Sequence, residues 1–259
     1  LNDNFNPYTT VNIIIPDTVA KIGENAFKNF ENLKNVIIPK SVIKIGKESF
    51  YNCNALTRIS IPNKVTKIGT GAFYSCTSLK HIDIPNSVNN IGKEVFQYCE
   101  SLKSLKIPNK VANILENTFA GCNSLTDVFI PDSVTTIEQG AFADCISLER
   151  IIILDVVTDI GEEAFYGCSS LKHIVIPSSV TKIKQDSFSE CESLITVVIP
   201  PYVKIIDNSA FSGCSSLKNI NIPSSITNIN NAAFSGCISL KNIIIPSCEN
   251  HLFGSFFTL

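Results

Sequence analysis

The 259-residue chain has no methionine and no tryptophan. No apolar run in it approaches the ~18 residues of a membrane span, so no spanning helix is expected. Its first residues, Leu1-Asn2-Asp3-Asn4, hold neither a basic nor an apolar segment, so no secretory leader is expected there. With the missing initiator methionine, this reads as a mature product or a piece of something longer. No Pro/Gly/Ser-rich stretch marks a linker. None of the 26 asparagines opens an Asn-x-Ser/Thr acceptor, which weighs against a eukaryotic secretory route and leaves a bacterial one open. Lysine is absent from residues 111–171, where ten acids face only Arg150. Residues 1–110 carry 14 Lys/Arg against 8 Asp/Glu, and residues 172–259 carry 6 against 5. The small overall charge of −2 therefore hides a basic start and an acidic centre. A nucleic-acid partner would need a dense basic stripe, and this excess is too thin for one.

What the chain does have is a period. Phe27, Phe50, Phe73, Phe96, Phe119, Phe142, Phe165, Phe188, Phe211 and Phe234 recur every 23 residues, and Leu33 to Leu240 recur at the same step. Pro16 to Pro131 and Pro177 to Pro246 keep it too, interrupted once by Leu154. A fixed period in this range means stacked coils in which each repeat touches only its neighbours. The expected division is an N-terminal cap over 1–10, about ten repeats over 11–246, and an incomplete repeat or cap over 247–259.

Within one coil the apolar spacing changes. Leu79, then Ile82 and Ile84, give an entry residue followed by strand alternation, which turns His81 and Asp83 outward. Pro85 ends the strand because it has no N–H to offer a ladder. Val88, Ile91, Phe96, Cys99 and Leu102 follow at steps of three and five, which suit tight turns and 3₁₀ pieces. Gly23, Gly46, Gly69, Gly92 and Gly161 are read as turn positions tolerating positive φ. Stacked at about 4.8 Å, the strands should form one long parallel sheet. Burying about seven apolar side chains per coil at ~1.5–3 kcal/mol each falls short of ordering its backbone at ~1–2 kcal/mol per residue. A single coil therefore cannot fold alone.

The pattern Leu-x-x-Ile-x-Ile-Pro-x-Ser-Val-x-x-Ile-Gly-x-x-Ala-Phe-x-x-Cys-x-Ser-Leu, nearly complete in 62–85 and 177–200, resembles the BspA-like leucine-rich repeat family. The resemblance covers about residues 11–246. It implies a leucine-rich repeat solenoid of 23-residue repeats, with a parallel sheet on one face and turns, 3₁₀ and short β segments on the other. Members are mostly surface-exposed or secreted proteins of bacteria and protozoan parasites, several of them adhesins for matrix or plasma proteins. The resemblance therefore implies a non-catalytic protein-binding module at the cell surface. It carries no ligand and no catalytic motif, since fold does not fix function.

Nine of the ten cysteines lie on the step, from Cys53 to Cys237, with Phe30 in the first coil's slot. They read as a ladder of buried, reduced thiols that could meet backbone carbonyls, because stacked side chains point in parallel and cannot all pair. Without a C-x-x-C spacing no zinc site is expected, and no cofactor. Cys248, off the step, is the candidate reactive or intermolecular thiol. So many free thiols fit a reducing or anaerobic setting. His81 and His173 share one outward position four coils apart, roughly 19 Å, too far to share a metal or a proton. No Cys–His or Ser–His–Asp constellation follows from the coil, so no enzyme is expected.

The deviations point to a site. One outward column reads Phe129, Ile152, Val175 and Val198 on adjacent coils, beside Asp127, Arg150, His173 and Thr196, with Arg58 and His81 nearer the start. An apolar strip rimmed by charge has the make-up of a protein-binding surface, although exposed β-branched residues also favour strands on their own account. Leu154 and Asp155, at the lost proline, adjoin the strip. A different class of reading is an intracellular or cytoskeletal scaffold, and free thiols and absent sequons fit a cytoplasmic setting. Head-to-tail self-association through the coil ends is a third use. If the coil is the unit of stability, deleting whole 23-residue coils from one end should lower the urea midpoint step by step. An unchanged midpoint after loss of three coils would contradict the array.

Overall fold

In the computed structural model, which describes residues 6–244, the chain is a stack of coils, with no helix among the described residues. Every coil but that of Ile152 has a front strand of three residues, and the coils carry a back strand of two, with a turn built around the periodic phenylalanine. Inward residues follow the predicted alternation: in His81–Asp83, only Ile82 is buried. Register between coils is kept at 23 residues throughout, as in Ile22↔Ile45↔Ile68↔Ile91. Residues 1–5, Cys248, His251 and the incomplete repeat proposed over 247–259 lie outside the described residues.

The phenylalanine turn is the one element that binds every coil to the next. The N–H groups of Asn25, Phe27 and Asn29 donate to the carbonyls of Lys47, Ser49 and Tyr51. The same three bonds recur at all nine interfaces, ending at Ser209, Phe211 and Gly213 on Asn231, Ala233 and Ser235, with N···O distances of 2.7–3.1 Å. Within the turn, i→i+3 bonds such as Lys28 N–H to Asn25 O close isolated turns and not a 3₁₀ helix. The first and last donors of each turn, the Asn25 and Asn29 positions, have φ between 49° and 72°. Most of them are not glycine: Glu48, Tyr98, Asp186 and Ala232 are examples. Left-handed backbone costs roughly 1–2 kcal/mol at such residues, so the ladder holds them there.

Inside this ladder the phenylalanine rings stack. From Phe27 to Phe234, successive centroids lie 5.2–5.8 Å apart with nearly parallel planes. The nine on-step cysteines are free and buried, as the sequence led us to expect. Each thiol donates to the phenylalanine carbonyl of the preceding coil at 3.1–3.3 Å. Phe50 O, for instance, accepts both the Cys53 N–H of its own coil and the Cys76 thiol of the next. The cysteine thus satisfies the second lone pair of a buried carbonyl that the turn alone would leave half used.

The front strands do not form one long sheet. They are hydrogen-bonded in pairs: Asn12–Ile14 with Asn35–Ile37, Arg58–Ser60 with His81–Asp83, Ser104–Lys106 with Asp127–Phe129, His173–Val175 with Thr196–Val198, and Asn219–Asn221 with Asn242–Ile244. In the first three pairs a serine just beyond the second strand also bridges the two coils; Ser179 and Ser225 make the same bond across unpaired seams, and Tyr202 holds the slot in the fourth pair, so the serine accompanies the pairing without deciding it. Ser41, Ser87 and Ser133 reach back to the carbonyls of Val19, Val65 and Val111, each at 2.7 Å. Lys64, Lys110 and Val156 hold that slot in the alternate coils, and there the seam to the preceding strand is open.

The back strands form three ladders: Lys21–Ile22 to Asn90–Ile91, Asn113–Ile114 to Asp159–Ile160, and Lys182–Ile183 to Asn228–Ile229. Here the glycine reading needs correction. Gly23, Gly46, Gly69, Gly92 and Gly161 do not have positive φ. What they allow is close approach: a Cβ on Gly69 would lie 2.6 Å from Lys47 N, and one on Gly92 2.5 Å from Thr70 N. The two breaks fall where a side chain first follows a glycine in this slot, Leu115 after Gly92 and Lys184 after Gly161. A Cβ there holds the coils apart. Ion pairs span both gaps, Lys93–Glu116 and Lys184–Asp159, each at 2.7 Å.

Two measurements check this account. Gly69→Ala should destabilise by about 1–3 kcal/mol through overpacking against backbone, whereas Gly23→Ala, with nothing within 4 Å of its Cβ position, should be neutral or slightly stabilising. Urea titrations of the pair that show equal effects would contradict the close-approach role. Burial pushes the Cys53 and Cys191 thiols up to about 12, and lifts Cys76, Cys99, Cys145 and Cys168 well above the ordinary range. A raised folded value means the native state keeps protons that the unfolded chain releases, so this stability is whole below pH ~8.5 and is lost as pH rises towards the folded values. Each thiol should steepen the alkaline loss by up to about 1.4 kcal/mol per pH unit. Cys→Ala variants should be less alkali-sensitive than the parent between pH 8 and 10 (about that range), even where they are weaker at pH 7.

Candidate functional site: an apolar strip on the front face

The alternation of the front strands turns the predicted column outward. Phe129, Ile152, Val175 and Val198 are 56%, 74%, 59% and 53% exposed, while Val128, Ile151, Ile174 and Val197 between the columns are buried. Val175 and Val198 are register partners in one strand pair. Asp127, Arg150, His173 and Thr196 form the adjoining column, all exposed. His173 Nδ1 lies 2.7 Å from Thr196 Oγ1, and Arg150 forms an isolated parallel bridge with His173. The strip and its polar edge are thus brought together as the repeat requires. Arg58 and His81 are register partners three and two coils before Asp127; Arg58 stands apart from the strip, whereas His81 shares a cleft with its Asp127–Phe129 end.

The coil of Ile152 differs from the rest. Its front segment, residues 150–152, holds no strand, and no backbone hydrogen bond joins it to Asp127–Phe129. Leu154 stands where the neighbours have buried Pro131 and Pro177, and it is partly exposed. The Asp155 carboxylate accepts the Ser178 N–H at 2.7 Å, which holds it below the usual carboxylate range, and Asp155 O accepts the Ser179 hydroxyl. The lost proline therefore marks the coil where the front pairing shifts by one. One pair ends at Asp127–Phe129 and the next begins at His173–Val175.

Two features of the site were not read from the sequence. The Lys106 ammonium sits 5.5 Å from the centre of the Phe129 ring, a cation–π contact between register partners. Next to it the open seam between His81–Asp83 and Ser104–Lys106 forms a cleft of about 380 Å³ that also touches Asp127 and Phe129. A similar cleft of about 490 Å³ opens between Ile37 and Ser60. These clefts lie at seams where the front strands do not pair. Among the described residues no helix is long and apolar enough to cross a membrane.

Comparison with known proteins agrees with the repeat. No curated protein matches the chain. Among solved structures, a leucine-rich repeat protein from Bacteroides ovatus ATCC 8483 is 32% identical, with 91% of this chain and 73% of that one covered and a TM-score of 0.66. A leucine-rich cell surface protein from Faecalibacterium prausnitzii A2-165 is 30% identical, with 92% and 88% covered and a TM-score of 0.50. The pneumococcal vaccine antigen PcpA, 17% identical with 90% and 71% covered and a TM-score of 0.51, shares the fold. The model of the BspA type leucine-rich repeat region matches residues 2–126, 89–218 and 181–258. With the 23-residue step, the phenylalanine turn and the thiol ladder all in place, the chain belongs to the BspA-type leucine-rich repeat family.

Proposed function

We propose that this solenoid is a protein-recognition module that binds its partner on the front face, at the surface of the cell or outside it. The observation that carries the reading is the exposed column Phe129, Ile152, Val175 and Val198, four apolar side chains on successive coils. Asp127, Arg150, His173 and Lys106 rim it with charge and hydrogen-bonding groups. An apolar centre with a polar rim is the anatomy of a protein interface, and large aromatics such as Phe129, once covered by a partner, carry the most energy in such contacts. A repeat array suits this role because each coil adds one side chain to the surface. The surface location is supported by the Faecalibacterium relative, a cell surface protein. A second reading, an intracellular scaffold, is supported by the nine free thiols.

The test is binding of the chain to immobilised matrix and plasma proteins, and to intact host cells, before and after replacing Phe129 and Ile152 with serine. Where the parent binds, the double variant should lose at least about tenfold in affinity with an unchanged unfolding midpoint. Tyr202→Ser, equally exposed but off the strip, should bind like the parent. Unchanged binding in the double variant would remove the strip as the site.

A further inference from the structure

The turn edge of the second and third coils carries a pair of side chains that neither the core nor the front face uses. The residue after each periodic phenylalanine is half-buried in the first four coils, and there the slot reads Lys28, Tyr51, Tyr74 and Gln97. The Tyr51 and Tyr74 rings are stacked, with centroids 4.6 Å apart and planes 4° from parallel. That is closer than any step of the phenylalanine stack, where the separations run from 5.2 to 5.8 Å. The Lys28 ammonium lies 4.6 Å from the centre of the Tyr51 ring and covers the stack from the side of the first coil. Tyr98 stands one residue off the slot. Its ring lies over Gly121, where a Cβ would come within 2.5 Å of it, and it meets Tyr74 edge-on at 5.5 Å and 86°. Tyr51 and Tyr74 are therefore the one parallel tyrosine pair among the described residues.

We propose that Tyr51 and Tyr74 are an oxidative modification site, at which a haem peroxidase with hydrogen peroxide joins the two rings as dityrosine and links the second coil covalently to the third. The ring separation carries the inference. Two rings joined directly by a single bond have centres nearly as far apart as these, so coupling asks the rings to roll about their Cβ–Cγ bonds and asks little of the backbone. The backbone is also fixed, since Asn52 N–H donates to Tyr74 O at 2.9 Å across the same interface. Burial first, and next the Tyr51 phenol beside it, hold the Tyr74 hydroxyl above its usual range, so it starts as the neutral phenol. Each phenol gives up one hydrogen atom, as an electron and a proton. The two phenoxyl radicals then pair through ring carbons ortho to oxygen, and the hydrogens on those carbons move to the oxygens, which restores both phenols. The electrons and protons removed reduce the peroxide O–O bond to two waters. Radicals held this close couple with each other before either meets a second chain. Competing side chains are few. The chain has no methionine and no tryptophan. Cys53 and Cys76, in the same two coils, are buried and kept as thiols, the unreactive form. The link closes a loop of the unfolded chain and so stabilises the array at that interface. It lies away from the front strands and does not depend on what binds there.

Oxidation of the dilute folded chain by a haem peroxidase and hydrogen peroxide, under conditions that couple free tyrosine, tests this. The monomer should gain the blue fluorescence of dityrosine and lose two hydrogens in mass. Trypsin, which cuts after Arg58 and Lys67, should then release the Tyr51 and Tyr74 peptides still joined. The linked monomer should unfold at a higher urea concentration than the untreated chain. Tyr51→Phe keeps a ring in the stack and removes one phenol, so its monomer should give almost no dityrosine while its urea midpoint stays near the parent's. Tyr98→Phe should be linked as the parent is. The proposal is overturned by a monomer without the Tyr51–Tyr74 link, by Tyr74–Tyr98 as the linked pair, or by a parent yield in Tyr51→Phe. Products joined between chains through the exposed Tyr8 and Tyr202, in place of the linked monomer, overturn it as well. So does an equal yield of the Tyr51–Tyr74 link from the chain unfolded in urea, or a linked monomer with the parent's midpoint.

Discussion

The interaction on which the rest depends is the ladder of backbone bonds along the phenylalanine turn. The front strands pair only two by two, with the coil of Ile152 outside the pairs, and the back sheet breaks twice, but the donors equivalent to Asn25, Phe27 and Asn29 find their carbonyls at all nine interfaces among the described residues. That continuity imposes the period. Inserting one residue in a coil would force that coil either to bulge or to shift its turn donors off the carbonyls of its neighbour, and each buried unpaired backbone group costs about 1–3 kcal/mol. The ring stack and the thiols follow from the same constraint. A turn aimed at its neighbour every 23 residues places Phe on Phe, and it leaves on each phenylalanine carbonyl one lone pair that only a small donor such as cysteine can reach.

With the turn holding the stack, the two sheets are free to vary. A serine hydroxyl beyond the front strand bonds back to the coil before it, across paired and unpaired seams alike. A glycine lets two backbones meet, and the first side chain after it parts them. The breaks in the back sheet divide the stack into blocks that also differ in charge, the first basic and the second acidic, with ion pairs across both joints. Exposed pairs of this kind contribute little each, so the joints are the places where the array is least firmly zipped.

Function of the surface type comes from the positions that the ladder leaves alone. Outward residues make no demand on packing. The apolar strip at Phe129, Ile152, Val175 and Val198 and the lysine column at Lys21, Lys44 and Lys67 are therefore choices and not consequences of the fold. They lie on opposite faces.

Counting modulo 23 is enough to give the repeat, the inward and outward columns, the thiol ladder, the separation of the histidines and the candidate strip. It also marks Leu154 as the odd coil. Distances between neighbouring backbones come only from the stacked coils. Gly69 and Gly92 were legible as special, but their reason, a clash with Lys47 and Thr70 one coil away, exists only when coils are stacked. The left-handed residues were not legible, since Glu48 and Tyr98 have no local preference for that backbone and are held there by bonds to the next coil. The pairing of front strands, the clefts at the unpaired seams and the contact of Lys106 with Phe129 escaped for the same reason. A period states which residues are equivalent, and only the packed coils determine how far apart equivalent residues lie.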